Sequence, residues 1–168
     1  RNKYIDFIIK GEGEETSYQL FNYLEGKEND INKIDGIVYR DNDSIIENNG
    51  RELIQELDKI PFPYRDEDDL NNKIVYYESS RGCPFRCSYC LSSTIKGVRF
   101  FSIERVKCDL LWFINNNIPL VKFVDRTFNC GRYYRDILKF IIDNKKNTKF
   151  HFEISADLLD DDTIKLLN

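Results

Sequence analysis

The chain is short of basic charge, of long apolar runs and of histidine, and each shortage removes a class of function. Its 25 Lys and Arg stand against 29 Asp and Glu, for a net charge of -4 and a sequence pI near 5.2. It therefore lacks the positive footprint with which proteins hold nucleic acid. No apolar run approaches the roughly 18 to 20 residues needed to cross a bilayer, and no signal peptide is evident. A soluble, cytoplasmic protein without a membrane partner is the expectation. The one histidine, His151, sits in a strand-like run and reads as a satisfied core side chain before a proton carrier. The first residue is Arg1 rather than methionine, directly before an apolar run, and the last, Asn168, falls inside an amphipathic run without a cap. An internal piece of a longer protein is expected.

Cysteine is where the sequence is rich, and three of its five cysteines fall in one short stretch, Ser79-Ser80-Arg81-Gly82-Cys83-Pro84-Phe85-Arg86-Cys87-Ser88-Tyr89-Cys90. Three residues separate Cys83 from Cys87 and two separate Cys87 from Cys90. A loop so spaced can wrap three thiolates around one corner of a [4Fe-4S] cubane and leave the fourth iron open. Clusters that only carry electrons are usually held by four cysteines, so the missing fourth argues that a substrate or cofactor completes the site. A structural zinc site is normally closed by four ligands, often in Cys-x2-4-Cys pairs. Only one such pair is present, and Cys108 and Cys130 lie far off in unrelated segments. An odd cysteine count without a leader argues against a secreted disulfide framework. Cys108, off the apolar stripe of its helix, is expected to be inert and partly buried. Cys130 follows a strand on the mouth side, where an accessory thiol role stays open.

The rest of the chain divides by rhythm. Tyr4-Ile5-Asp6-Phe7-Ile8-Ile9 predicts a parallel strand covered on both faces. Gly11-Glu12-Gly13-Glu14 then predicts a tight corner into a helix with Tyr18, Phe21 and Leu24 on one side, ended by Gly26. A lone Gly-x-Gly lacks the third glycine and later acidic residue of a dinucleotide fingerprint. Residues 27–73 read as a linker containing a hairpin, with Ile37-Val38-Tyr39-Arg40 and Ser44-Ile45-Ile46-Glu47 as its strands. Ile60-Pro61-Phe62-Pro63-Tyr64 follows as an extended segment, then the acidic run 66–69 as a solvated connector.

From residue 74 strand, loop and helix repeat. Ile74-Val75-Tyr76-Tyr77, residues 120–125 and residues 149–155 are the strands. Helices follow with Ser102 as a cap and Ile103, Val106, Leu110, Phe113 and Ile114 on one face, then with Tyr134, Ile137, Leu138 and Ile141, and then at the acidic start 160–162. Alternation of this kind builds a parallel sheet with helical crossovers, and ligands collect at the carboxyl ends of such strands. Those ends carry Cys83, Asp125 and Ser155. In the third strand His151, Glu153 and Ser155 alternate with Phe150, Phe152 and Ile154, which predicts one polar and one apolar face.

Cys-x3-Cys-x2-Cys with an aromatic before the last cysteine resembles the signature of radical S-adenosylmethionine (SAM) enzymes, of the type associated with cobalamin-binding domains. The resemblance extends through residues 77–85, 122–129 and 151–157. It implies an α/β fold: the first three βα units of a partial (β/α)6 TIM-like barrel over residues 74–168, preceded by the last βα unit of a Rossmann-like cobalamin-binding domain over residues 1–26. The implied cofactors are a [4Fe-4S] cluster on Cys83, Cys87 and Cys90, SAM, and cobalamin bound largely outside this stretch. SAM binds the open iron in that family, and its reductive cleavage yields a 5'-deoxyadenosyl radical. Tyr89 is implied to lie near the adenine. Asp125 stands where relatives carry Gly-Gly-Glu and is implied to meet the SAM ammonium, with Glu153 and Ser155 on the same side. Arg126 is implied either to meet the SAM carboxylate or to pair with Asp125. A small-molecule or unknown substrate and an electron donor such as flavodoxin or ferredoxin are the partners it implies.

The chemistry implied is methyl transfer or other radical chemistry. A methylthiotransferase-like enzyme and a non-catalytic metal-binding module stay open as alternatives. A piece with three of six strands is expected to self-associate through its unpaired edge and to bind cobalamin negligibly by itself.

Overall fold

The computed structural model describes residues 4–65 and 70–167, so the acidic run 66–69 lies outside the described residues. The chain forms two compact units, Arg1–Gln55 and Glu56–Asn168.

The first unit is a three-stranded antiparallel sheet with one helix. β1 (Phe7–Ile9) leads to α1 (Glu14–Leu24), and β2 (Ile37–Asp41) and β3 (Ser44–Glu47) form the expected hairpin. Strand order is β1-β2-β3, with Phe7 opposite Tyr39 and Asp41 opposite Ser44. The two-residue loop places Asn42 at φ 51°, a left-handed conformation that Asn tolerates better than most residues. Two expectations are corrected. β1 is an antiparallel edge strand with Ile8 51% exposed, because an apolar run does not encode the direction of its partner. The hairpin is no linker: it pairs with β1, and Leu20, Ile34, Ile37 and Tyr39 form a buried core with Phe7, Ile9 and Ile46 against it.

α1 ends as expected, with Gly26 at φ 73° donating to the Tyr23 carbonyl. It turns Thr16 and Leu20 inward and leaves Tyr18, Phe21 and Leu24 exposed. Arg51 fixes that orientation. Its Nε donates to Thr16 Oγ1 at 2.8 Å, its Nη1 to Glu15 at 2.8 Å and its Nη2 to the Asp35 carbonyl at 3.2 Å.

The second unit has the expected alternation. β4 (Ile74–Tyr77), a ribbon of β5 (Ser80–Gly82) and β6 (Val98–Phe100), α2 (Ile103–Asn115), β7 (Leu120–Phe123), α3 (Tyr134–Asn144), β8 (Lys149–His151) and α4 (Asp161–Leu167) follow in order. β4, β7 and β8 form a parallel sheet in that order, with Tyr76 beside Lys122 and Lys122 beside His151. Val75, Tyr77, Val121 and Phe123 are buried on one face, as are Val106, Leu110, Phe113 and Ile114 of α2 and Ile137, Leu138 and Ile141 of α3. Each such burial stabilises by roughly 1.5–3 kcal/mol relative to exposure. Ser102 caps α2 by accepting from the Arg105 N–H at 3.1 Å.

β8 is shorter than the expected 149–155. Beyond His151 the chain is held by the turn after β7 instead of by the ladder: Phe128 N donates to the Glu153 carbonyl at 2.8 Å, and Phe152 packs on Phe123 and Phe128. The ribbon β5–β6 was not expected, since its three-residue strands leave no periodicity.

Residues 60–65 are also more than a connector. Phe62 and Tyr64 pack their rings against Trp112 and Phe113 of α2. The Tyr64 hydroxyl donates to the Tyr76 carbonyl at 2.6 Å and accepts from the Tyr76 N–H at 3.1 Å, closing the outer edge of β4 at that residue. Tyr64→Phe is expected to lower the unfolding free energy by about 1 kcal/mol and to increase self-association. Denaturant titration and sedimentation measure both, and an unchanged midpoint with an unchanged sedimentation coefficient would show that this edge needs no closure.

Candidate functional site

The cysteine loop leaves the carboxyl end of β4, and one carboxylate fixes where it starts. Asp125, just past β7, is 1% exposed. It accepts from Ser79 N at 3.0 Å, Ser79 Oγ at 2.7 Å and Ser80 Oγ at 2.5 Å. Val124 N also donates to the Tyr77 carbonyl at 2.8 Å, so the two strand ends are stitched together. Burial pushes the Asp125 carboxyl above its ordinary range, opposed by the Ser80 and Ser79 donors. Its oxygens thus accept from Ser79 and Ser80 away from solvent, so in this structure Asp125 joins the start of the loop to the end of β7. Arg126 is exposed and is not the partner of Asp125.

Past Ser80 the ribbon carries the chain to Gly82, whose φ is 110°. A Cβ there would lie 2.1 Å from the Gly97 carbonyl oxygen, so only glycine allows the two ends of the loop to close on each other. Between them Cys83 and Cys90 are partly buried and Cys87 is exposed. Cys90 N donates to the Cys87 carbonyl at 3.1 Å, and Ser93 N and Oγ donate to the Cys90 carbonyl at 3.0 and 2.7 Å. The Ser92 backbone N–H and hydroxyl hold the Cys90 thiol below its usual range, with a smaller contribution from the positive charge of Arg126. Thiolate character is what an iron ligand needs.

Among the described residues no three His, Cys, Asp or Glu side chains converge on a single ion. A cubane puts each thiolate on a different iron, and the three loop cysteines, partly or fully exposed on a glycine-closed loop, have the donor chemistry such a cluster takes.

The other expected site residues fall in three places. Tyr89 is 91% exposed on the loop, so its ring is available for stacking. Glu153, two residues past β8, has Oε1 3.3 Å from Lys122 Nζ. Ser155 donates its hydroxyl to Asp157, and its backbone is held by Asn129, which donates to the Ser155 carbonyl at 2.8 Å and accepts from the Ser155 N–H at 2.9 Å. Asn129, Ser79 and Ser80 are positioning residues that the sequence reading did not assign. Their signal was only adjacency to the strand ends. Cys130 is partly buried, and burial pushes its thiol up, followed by the charges of Asp125 and Cys83. Cys108 is exposed, not partly buried. His151 is exposed rather than a core side chain.

Residues 77–168 match the Radical SAM superfamily. The chain belongs to that superfamily. It is 34% identical over 139 residues to "Uncharacterized methyltransferase PH0819" of Pyrococcus horikoshii, covering 76% of this chain and 30% of that protein. It is 43% identical over 96 residues to the anaerobic magnesium-protoporphyrin IX monomethyl ester cyclase of Synechocystis, covering 51% of this chain and 18% of that protein. Among solved structures, the cobalamin-dependent SAM radical enzyme OxsB with aqua-cobalamin bound superposes with a TM-score of 0.67 at 26% identity, covering 90% of this chain and 23% of that one. The chain thus spans less than a third of the length of each of these proteins. No helix among the described residues is long and apolar enough to cross a membrane.

Asp125→Asn turns an amide N–H toward serine donors and is expected to lower the unfolding free energy by about 1–3 kcal/mol. Because the carboxylate anchors the loop, iron retained per chain should fall with it. Normal stability and iron content with weakened SAM binding alone would place Asp125 on the ligand instead.

Proposed function

We propose that this chain is part of an enzyme that cleaves SAM reductively and uses the resulting radical on an organic substrate. The observation that carries the reading is the three-cysteine loop, closed at Gly82 and Gly97 and anchored by Asp125 at the carboxyl ends of a parallel sheet. Cys83, Cys87 and Cys90 would hold a [4Fe-4S] cluster. When bound, that cluster supplies the electron for SAM cleavage. The protein's own contributions are binding and orientation. Tyr89 offers an exposed aromatic face for the adenine, and Arg126, exposed on the Cys90 side, offers a guanidinium for the SAM carboxylate. Ser155 and Glu153 shape the wall at the end of β8. An electron donor of the flavodoxin or ferredoxin kind is the partner such chemistry needs.

The three βα units are read as the first half of a partial (β/α)6 barrel that extends from β8, the edge opposite the one Tyr64 closes. Residues 1–26 are read as the closing βα unit of a cobalamin-binding domain, to which the hairpin adds two strands. Methyl transfer assisted by cobalamin is the leading reaction, supported by the methyltransferase relative and the cobalamin-dependent structure. The cyclase relative supports a second reading, radical ring formation on the same cofactors without methyl transfer.

In the full-length protein, reconstituted without oxygen, replacing Cys83, Cys87 or Cys90 singly by Ala should abolish visible iron-sulfur absorption and 5'-deoxyadenosine production. A single variant that kept a SAM-cleaving cluster would refute the ligand assignment. Tyr89→Ala should leave iron content unchanged and weaken SAM binding by roughly tenfold, the worth of one stacked ring. Iron loss in that variant would make Tyr89 a residue that shapes the loop.

A further inference from the structure

The open face of the parallel sheet carries a row of polar side chains that the chemistry above does not use. Register sets Tyr76 on β4, Lys122 on β7 and His151 on β8 side by side. Their neighbours Val75, Tyr77, Val121 and Phe123 are buried on the helix side, whereas Tyr76 is 55% exposed and His151 is exposed. Strands in a sheet lie about 4.8 Å apart, so phenol, ammonium and imidazole span roughly 10 Å across this face. Tyr76 and Lys122 each stand one residue before the carboxyl end of their strand, next to the segment that launches the cysteine loop.

The charge in the row is held in place. Glu153 sits 3.3 Å from Lys122 Nζ. One such contact leaves an ammonium two further donors. Parallel sheets of α/β proteins are covered on both faces, and a lysine, a histidine and a tyrosine aligned on a covered face need an acceptor once water is displaced. Ligands of such sheets bind at this end of the strands.

We propose that Tyr76, Lys122 and His151 together bind an oxyanion of the substrate, a carboxylate or a phosphate, with Glu153 as the positioning residue that orients Lys122. Lys122 supplies the point charge, and the Tyr76 hydroxyl and the His151 ring supply flanking donors. The contact would fix the far end of the substrate while its reacting end meets the cysteine loop. This assignment rests on the reading of the open face as the inner wall of the radical site.

The test uses the full-length protein with its cluster reconstituted, titrated separately with inorganic phosphate and with acetate. The readout is the carbon-bound imidazole proton resonance of His151, identified by its loss in His151→Gln. One anion should move that resonance saturably. A response to phosphate alone identifies a phosphoryl substrate, and a response to acetate a carboxylate. Lys122→Gln should weaken the responding anion by roughly tenfold, and Tyr76→Phe by about threefold, as expected for losing a charged and a neutral donor. Lys122→Arg, which keeps the charge, should stay within about threefold of the unsubstituted protein. An unmoved resonance with both anions, or affinity indifferent to Lys122→Gln, overturns the proposal. Reductive SAM cleavage by the unsubstituted protein is measured on the same sample. If it proceeds while the resonance stays still, only the oxyanion site fails, whereas absent cleavage counts against the radical SAM reading itself.

Discussion

Everything at the mouth of the second unit depends on the buried carboxylate of Asp125. A charged group at 1% exposure is stable only when its lone pairs are met, and Ser79 and Ser80 meet them from the neighbouring strand end. The consequence is geometric. β4 and β7 stay joined one residue beyond their ladder, and the ribbon β5–β6 springs from that fixed point. The cysteine loop is therefore a short excursion from a rigid base, closed at its neck where Gly82 meets Gly97. A loop so held can present three thiols in one arrangement, and the entropy of gathering them is met in folding and not at the moment of cluster assembly.

A second polar lock repeats the device on the other side of β7. Asn129 exchanges two hydrogen bonds with the backbone of Ser155, and Phe128, flanked by Phe123 and Phe152, donates its N–H to Glu153. The end of β8 is thus set by residues that follow β7. Together the locks explain why β8 is brief as a ladder strand and still well placed. They also tie Glu153 into an ion pair with Lys122 and keep the polar side of the sheet in register from β4 to β8.

Much of this was legible in the residues. Spacing singled out Cys83, Cys87 and Cys90 as candidate ligands, because ligand chemistry constrains spacing directly, and the structure holds them on one loop. Periodicity placed α2 and α3, whose buried stripes are long enough to leave a 3.6-residue signature, and Asp41-Asn42-Asp43 between two apolar runs marked the hairpin. What failed was of a different kind. The direction of β1 depends on a partner 30 residues away, which an apolar run does not specify. The stripe Tyr18-Phe21-Leu24 was apolar but faced outward, because Arg51 and Thr16 decide which side of α1 meets the sheet. The serine partners of Asp125 went unseen, because Ser79 and Ser80 lie 46 and 45 residues upstream and advertise nothing in sequence. Local chemistry was readable; long-range hydrogen bonds and the orientation of pairing were not.

The central claim is that three thiolates leave one iron of a cubane open for SAM. Electron paramagnetic resonance of the reduced, reconstituted full-length protein, recorded with and without SAM, addresses it directly. The account predicts the signal of a reduced [4Fe-4S] cluster whose g values shift when SAM is added, because SAM then ligates the open iron. A reduced cluster whose spectrum is indifferent to saturating SAM, or a protein that binds zinc and yields no cluster signal, would contradict it.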